Sequence, residues 1–143
     1  MPAIYPSRFI HPSYLCCILM SCMFSINAMA SPRLHCQLDQ GGKSSKFEFS
    51  PVANPYMVHA IDLGGRFRFK AVVIGDQSKI EYIKLYTYYL NNEKAILLHE
   101  VKYQSPEVQS NSAPASLTGI NYIYSPNLER ELQYRCALIE AAP

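Results

Sequence analysis

"RFRFKAVVIG", residues 66–75, sets charge against apolar bulk: Arg66, Arg68 and Lys70 fall on one parity, Phe67, Phe69, Ala71 and Val73 on the other. Successive side chains of a strand point to opposite faces. The pattern therefore predicts a strand with one face buried and the other, basic face in water.

Reading outward, the same signature recurs. "RLHCQLD" (33–39) alternates Leu34, Cys36 and Leu38 against His35 and Gln37, and "QGGKSS" ends it. "KFEFS" repeats the pattern with Phe47 and Phe49. "PYMVHAID" (55–62), apolar and β-branched, reads as a further strand closed by Gly64-Gly65. Downstream, "KIEYIKLYTYYL" (79–90) is rich in Ile, Thr and Tyr, the residues that suit a pleated surface. Asn91-Asn92-Glu93 joins it to "KAILLHEVKYQ" (94–104) as a hairpin. "SPEVQSNSAPASLTG" (105–119) has no periodicity and reads as a long polar loop, after which "INYIY" (120–124) returns to strand character.

"SPNLERELQYRCALIE" (125–140) supports two readings. Ser125 as N-cap, Pro126 at the first helical position and Glu129 and Glu131 in the early turns describe a helix. Leu128, Leu132, Tyr134, Cys136 and Leu138 share one parity and describe a strand. The preferred reading is a turn or helical start followed by a strand from Leu132 to Ile139. Short strands with frequent turn signals and no βαβ rhythm give an all-β class, a small antiparallel sandwich or barrel of about seven or eight strands. The alternative is α+β with a C-terminal helix.

Ahead of this domain stands a different kind of sequence. Arg8 is the one full side-chain charge in residues 1–13, Tyr14–Ile26 is apolar, and Ala28-Met29-Ala30 offers the small residues that a signal peptidase reads. That is the plan of a secretory signal peptide, residues 1–30, leaving a single domain over 31–143 and no stable membrane span after cleavage. Two alternatives stand beside it: a lipoprotein processed at Cys22, or an uncleaved signal anchor. The expected location is periplasmic or secreted.

Cleavage removes three of the five cysteines and leaves Cys36 and Cys136, an even pair that in an exported chain reads as a disulfide. It also removes Arg8, so twelve Lys and Arg face eleven Asp and Glu. Such a balance carries no clustered basic footprint for nucleic acid. His35, His59 and His99 lie at no metal-ligand spacing, and no cofactor or metal site is expected. No G-x-S-x-G element or flagged acid pair points to catalysis.

Two features remain as candidate binding surfaces. Tyr82, Tyr86 and Tyr88 share a parity, with Tyr89 on the other, and tyrosine combines apolar area with a polar tip. Arg66, Arg68 and Lys70 form a basic stripe suited to an acidic partner, unless acids such as Glu129 and Glu131 answer it. The expected function is a non-catalytic domain binding an envelope or extracellular protein. The alternatives are a carbohydrate or small-ligand module on the tyrosine face and a secreted hydrolase with a carboxylate site.

Overall fold

A computed structural model of the chain describes residues 31–92, 94–109, 116–126 and 129–140. The expected export signal with Cys22 and the start of the expected C-terminal helix at residues 127–128 lie outside the described residues. Eight strands follow in chain order: β1 (Pro32–Gln40), β2 (Lys43–Phe49), β3 (Ile61–Asp62), β4 (Phe67–Gly75), β5 (Ile80–Asn91), β6 (Lys94–Gln104), β7 (Asn121–Tyr124) and β8 (Glu131–Glu140). They form two antiparallel four-stranded sheets, ordered β2-β1-β8-β7 and β3-β4-β5-β6. The chain builds half of the first sheet, crosses to complete the second, and returns to finish the first. The class is all-β and the architecture a small sandwich.

The alternation read from the sequence fixes which faces meet. Phe67, Phe69, Ala71 and Val73 of β4 and Ile83, Leu85 and Tyr89 of β5 point inward against Leu34 and Leu38 of β1 and Leu132, Tyr134 and Leu138 of β8. Aromatic packing ties the layers together where the rings of Phe69 and Tyr134 lie 5.3 Å apart, and within the second sheet those of Phe67 and Tyr89 meet edge to face at 5.4 Å. Each fully buried side chain of this size contributes roughly 1.5–3 kcal/mol relative to exposure. Cys36 and Cys136 stand directly opposite each other on β1 and β8, both buried, and are joined by a disulfide. No helix among the described residues is long and apolar enough to cross a membrane.

The C-terminal segment is the strand of the preferred reading, β8, and not the alternative helix, because its even-numbered residues from Leu132 to Leu138 complete the core. Two other expectations need correction. "PYMVHAID" is mostly not a strand. Asn54 accepts a hydrogen bond from the Tyr56 amide at 3.0 Å and Pro55 opens a single 3-10 turn, Pro55–Met57, leaving only Ile61 and Asp62 paired. Proline lacks the amide that a ladder needs, and apolar composition without alternation did not reveal it. Lastly, Gly41-Gly42 alone makes the first hairpin turn, with both glycines at positive φ, and Lys43 already belongs to β2.

Of the loop after β6, residues 110–115 lie outside the described residues. Its described parts run along β8: the Gln109 amide donates to the Leu138 carbonyl, and the Leu117 amide to that of Cys136, at 2.9 and 2.8 Å.

Candidate functional site

The register of the second sheet unites the two features that the sequence offered separately. Arg68 stands directly opposite Tyr88, and Lys70 opposite Tyr86. On the far side of β5, Tyr86 faces Glu100, Lys84 faces Lys102 and Tyr82 faces Gln104. All these side chains share the outer face, since the neighbouring odd-numbered residues of β5 fill the core. Tyr82, Tyr86 and Tyr88 are half-buried there, and Tyr89 is buried on the inner face, as their parities require.

Arg66 does not join them. It lies in the Gly64–Arg66 turn before β4 with φ of 75°, exposed, while its carbonyl accepts from the Leu90 amide at 2.8 Å. The basic stripe therefore keeps Arg68 and Lys70 but loses its first expected member: the chain turns one residue before the alternation becomes a strand. Glu129 and Glu131 do not answer this stripe. Glu131 belongs to β8 in the other sheet, where hydrogen bonds from Gln133 and the Tyr124 phenol hold its carboxyl below the usual range.

The answering acids are Asp62 and Glu100. Asp62 pairs with Arg68 at 3.7 Å, and Glu100 accepts from the Lys84 ammonium at 3.0 Å. That hydrogen bond, with the Tyr86 phenol second, raises the Lys84 pKa. Burial first, then the neighbouring Tyr86 and Glu100, raises the Tyr88 phenol. Lys70 and Lys102 have no acid within ion-pair distance among the described residues and rest over aromatic rings. Lys70 lies 5.9 Å from the Tyr86 ring centre and Lys102 lies 4.7 Å from that of Tyr82, both within cation–π range. Lys84 approaches Tyr86 at 5.8 Å, and the Tyr86 and Tyr88 rings stack 6.1 Å apart, inclined by 14°.

This face thus offers four cations and two acids, with phenols between them. Both acids already serve cations. They sit on the outermost strands of the sheet, three strand spacings or about 14 Å apart, beyond the separation at which paired carboxylates hydrolyse a glycoside. Lys84 was legible beside Tyr82 by parity. Asp62, Glu100 and Lys102 join the face only through strand register, which one chain's sequence does not state.

A second concavity, of about 590 Å³, lies on the outer face of the other sheet, over the backbone of the disulfide-linked strands. His35, Lys46, Glu48, Ser116, Arg135 and Ile139 border it. Glu48 is 3.7 Å from Arg33 and 3.6 Å from His35, and the Arg135 guanidinium donates to the Gln37 amide oxygen at 2.7 Å. Compared with known proteins, the chain matches no family model, no curated protein and no solved structure.

Proposed function

We propose that this protein is an exported, non-catalytic β-sandwich that binds a protein partner through the outer face of the β3-β4-β5-β6 sheet. The observation that carries the reading is the register that brings Arg68 and Lys70 against Tyr88 and Tyr86, making one surface of two candidates. Tyrosine and arginine are the side chains that most often dominate protein interfaces, and here a sheet holds them in fixed positions. Export is supported by the signal-like residues 1–30 and is compatible with the buried disulfide.

The same geometry favours a protein over a glycan. A sugar stacks on an open ring face, whereas the faces of Tyr86 are approached by Tyr88, Lys70 and Lys84, and Tyr82 is approached by Lys102. Rims of phenols and ammonium groups suit carboxylates and carbonyls of a polypeptide better.

Cross-linking capture from envelope extract, with the oxidised protein prepared from the full chain, tests the reading. A partner held by the wild type should bind at least about tenfold more weakly to Lys70→Glu and Tyr86→Ala. Arg135→Ala, on the opposite sheet, should leave it unchanged. Equal binding by all three variants, or no partner for a well-folded protein, would overturn the assignment.

A further inference from the structure

The four sheet edges are treated very differently. β7 is four residues long, and Gln109 and Leu117 continue its line along β8. On the outer side of β4, β3 pairs with one end and Val52 bridges to Ile74 at the other. β2 is a seven-residue edge carrying Lys43 and Lys46. β6 runs for eleven residues, and among the described residues no strand pairs with its outer side. Proteins usually shorten, charge or cover such an edge, because its free amides and carbonyls are a template for another strand.

Apolar exposure gathers on that same side. Of the seven large hydrophobic side chains that stand exposed among the described residues, Ile96 and Leu97 lie on β6, and Ile120, Tyr122 and Tyr124 lie on or beside β7. β6 and β7 are neighbouring edges of the two sheets, but Tyr122 and Tyr124 flank buried Ile123 and face outward from the first sheet, so the apolar exposure on the β6 edge itself is that of Ile96 and Leu97.

The sequence of β6 names the occupant. Glu100-Val101-Lys102 is self-complementary when read antiparallel: with Val101 opposite its own copy, each Glu100 stands opposite the other chain's Lys102. This register also matches faces. Glu100 and Lys102 belong to the outer face, and His99, Val101 and Tyr103, paired with Thr87, Leu85 and Ile83, belong to the inner one. Within one chain Lys84 and Lys102 stand directly opposite each other, a like-charge pair that destabilises a sheet. A second copy brings its Glu100 beside that Lys102 and compensates it.

We infer that two copies of this chain join by antiparallel pairing of β6 with β6 about Val101, making one eight-stranded sheet. The two-fold axis runs perpendicular to the sheet, so both tyrosine–lysine faces look the same way. The pairing is made by the free backbone edge of β6, whose Glu100 and Lys102 also belong to the tyrosine–lysine face, and it does not depend on that face binding a partner.

The test is sedimentation equilibrium of the disulfide-intact protein, prepared from the full chain, between about 1 and 100 μM, where a protomer–dimer equilibrium is concentration-dependent. The wild type should approach twice the protomer mass. Lys102→Glu and Glu100→Lys each turn two attractive cross-pairs into repulsive ones and should weaken dimerisation by about tenfold or more. Mixed in equal amounts, the two variants regain both attractive pairs and should dimerise together. Lys102→Glu replaces the like-charge neighbour of Lys84 with a carboxylate within its own sheet and should keep the fold, so it decides alone should Glu100→Lys not fold. A wild type that stays monomeric overturns the inference. So does a dimer that Lys102→Glu leaves intact, or a mixture of two folded variants that stays monomeric.

Discussion

Thr87 occupies an inner-face position of β5 and is fully buried, with Phe69 and His99 as cross-strand neighbours. Among the described residues its hydroxyl has no hydrogen-bond partner, and neither have the His99 Nε2 and the Tyr89 and Tyr134 hydroxyls, all of them buried. A buried polar group left unpaired costs about 1–3 kcal/mol, whereas an apolar group of the same shape costs nothing of that kind. Thr87→Val should therefore raise the unfolding free energy by about 1 kcal/mol in urea denaturation. A loss of similar size would show that the hydroxyl is satisfied by an ordered water. Burial also raises the pKa of the Tyr134 phenol, so that side chain stays neutral in the folded protein. That the phenol would end inside, against Phe69, followed from the strand reading of the last segment.

At the scale of elements, legibility tracked alternation. β4, β5 and β6 were readable because their two faces differ so strongly: phenylalanine and aliphatic residues inside, arginine, lysine and tyrosine outside. The 55–62 segment was misread because its apolar residues do not alternate and the Asn54 cap competes for the backbone. The candidate site was half legible. Parity placed Tyr82, Tyr86 and Tyr88 together, but their meeting with Arg68, Lys70 and Glu100 depends on register, set by turns whose geometry no single residue encodes. One such turn can be tested directly. Gly75 closes β4 with φ of 152°, at a register shift, and an added Cβ would run into the Lys79 carbonyl oxygen. The Asp76 carboxylate then accepts from the Ser78 and Lys79 amides at 2.7 and 2.9 Å to complete the turn. Gly75→Ala should cost about 2 kcal/mol or more, read as a lower urea midpoint with an unchanged slope. A neutral result would mean that this turn does not set the β4–β5 register.

Over the whole molecule, the decisive long-range link is Cys36–Cys136, separated by 100 residues and set near the middle of the β1–β8 ladder. Closing so long a loop restricts the unfolded chain and is worth about 4–5 kcal/mol in the chain-entropy account. For a domain of this size that is a large part of its net stability. Replacing both cysteines with alanine should lower the unfolding free energy by roughly that amount, and a change under about 1 kcal/mol would show that the unfolded chain is already compact. The pairing, as a tie between the first strand and the last, was legible from Cys36, Cys136 and an export-like leader. That these two strands are hydrogen-bonded neighbours in one sheet was not.

The same link has a mechanical meaning. Pro32 and Glu140 are paired neighbours, so the described sandwich is entered and left at one point. Tension applied there would peel β1 from β8 one hydrogen bond at a time, through the pairs from Pro32 to His35, until it met the covalent bond at Cys36. Beyond that bond the load passes straight from strand to strand, and the residues between the two cysteines never feel it. Oxidised, the domain behaves under load as a short rigid knot in the chain; reduced, it is a zipper with nothing to stop the slider.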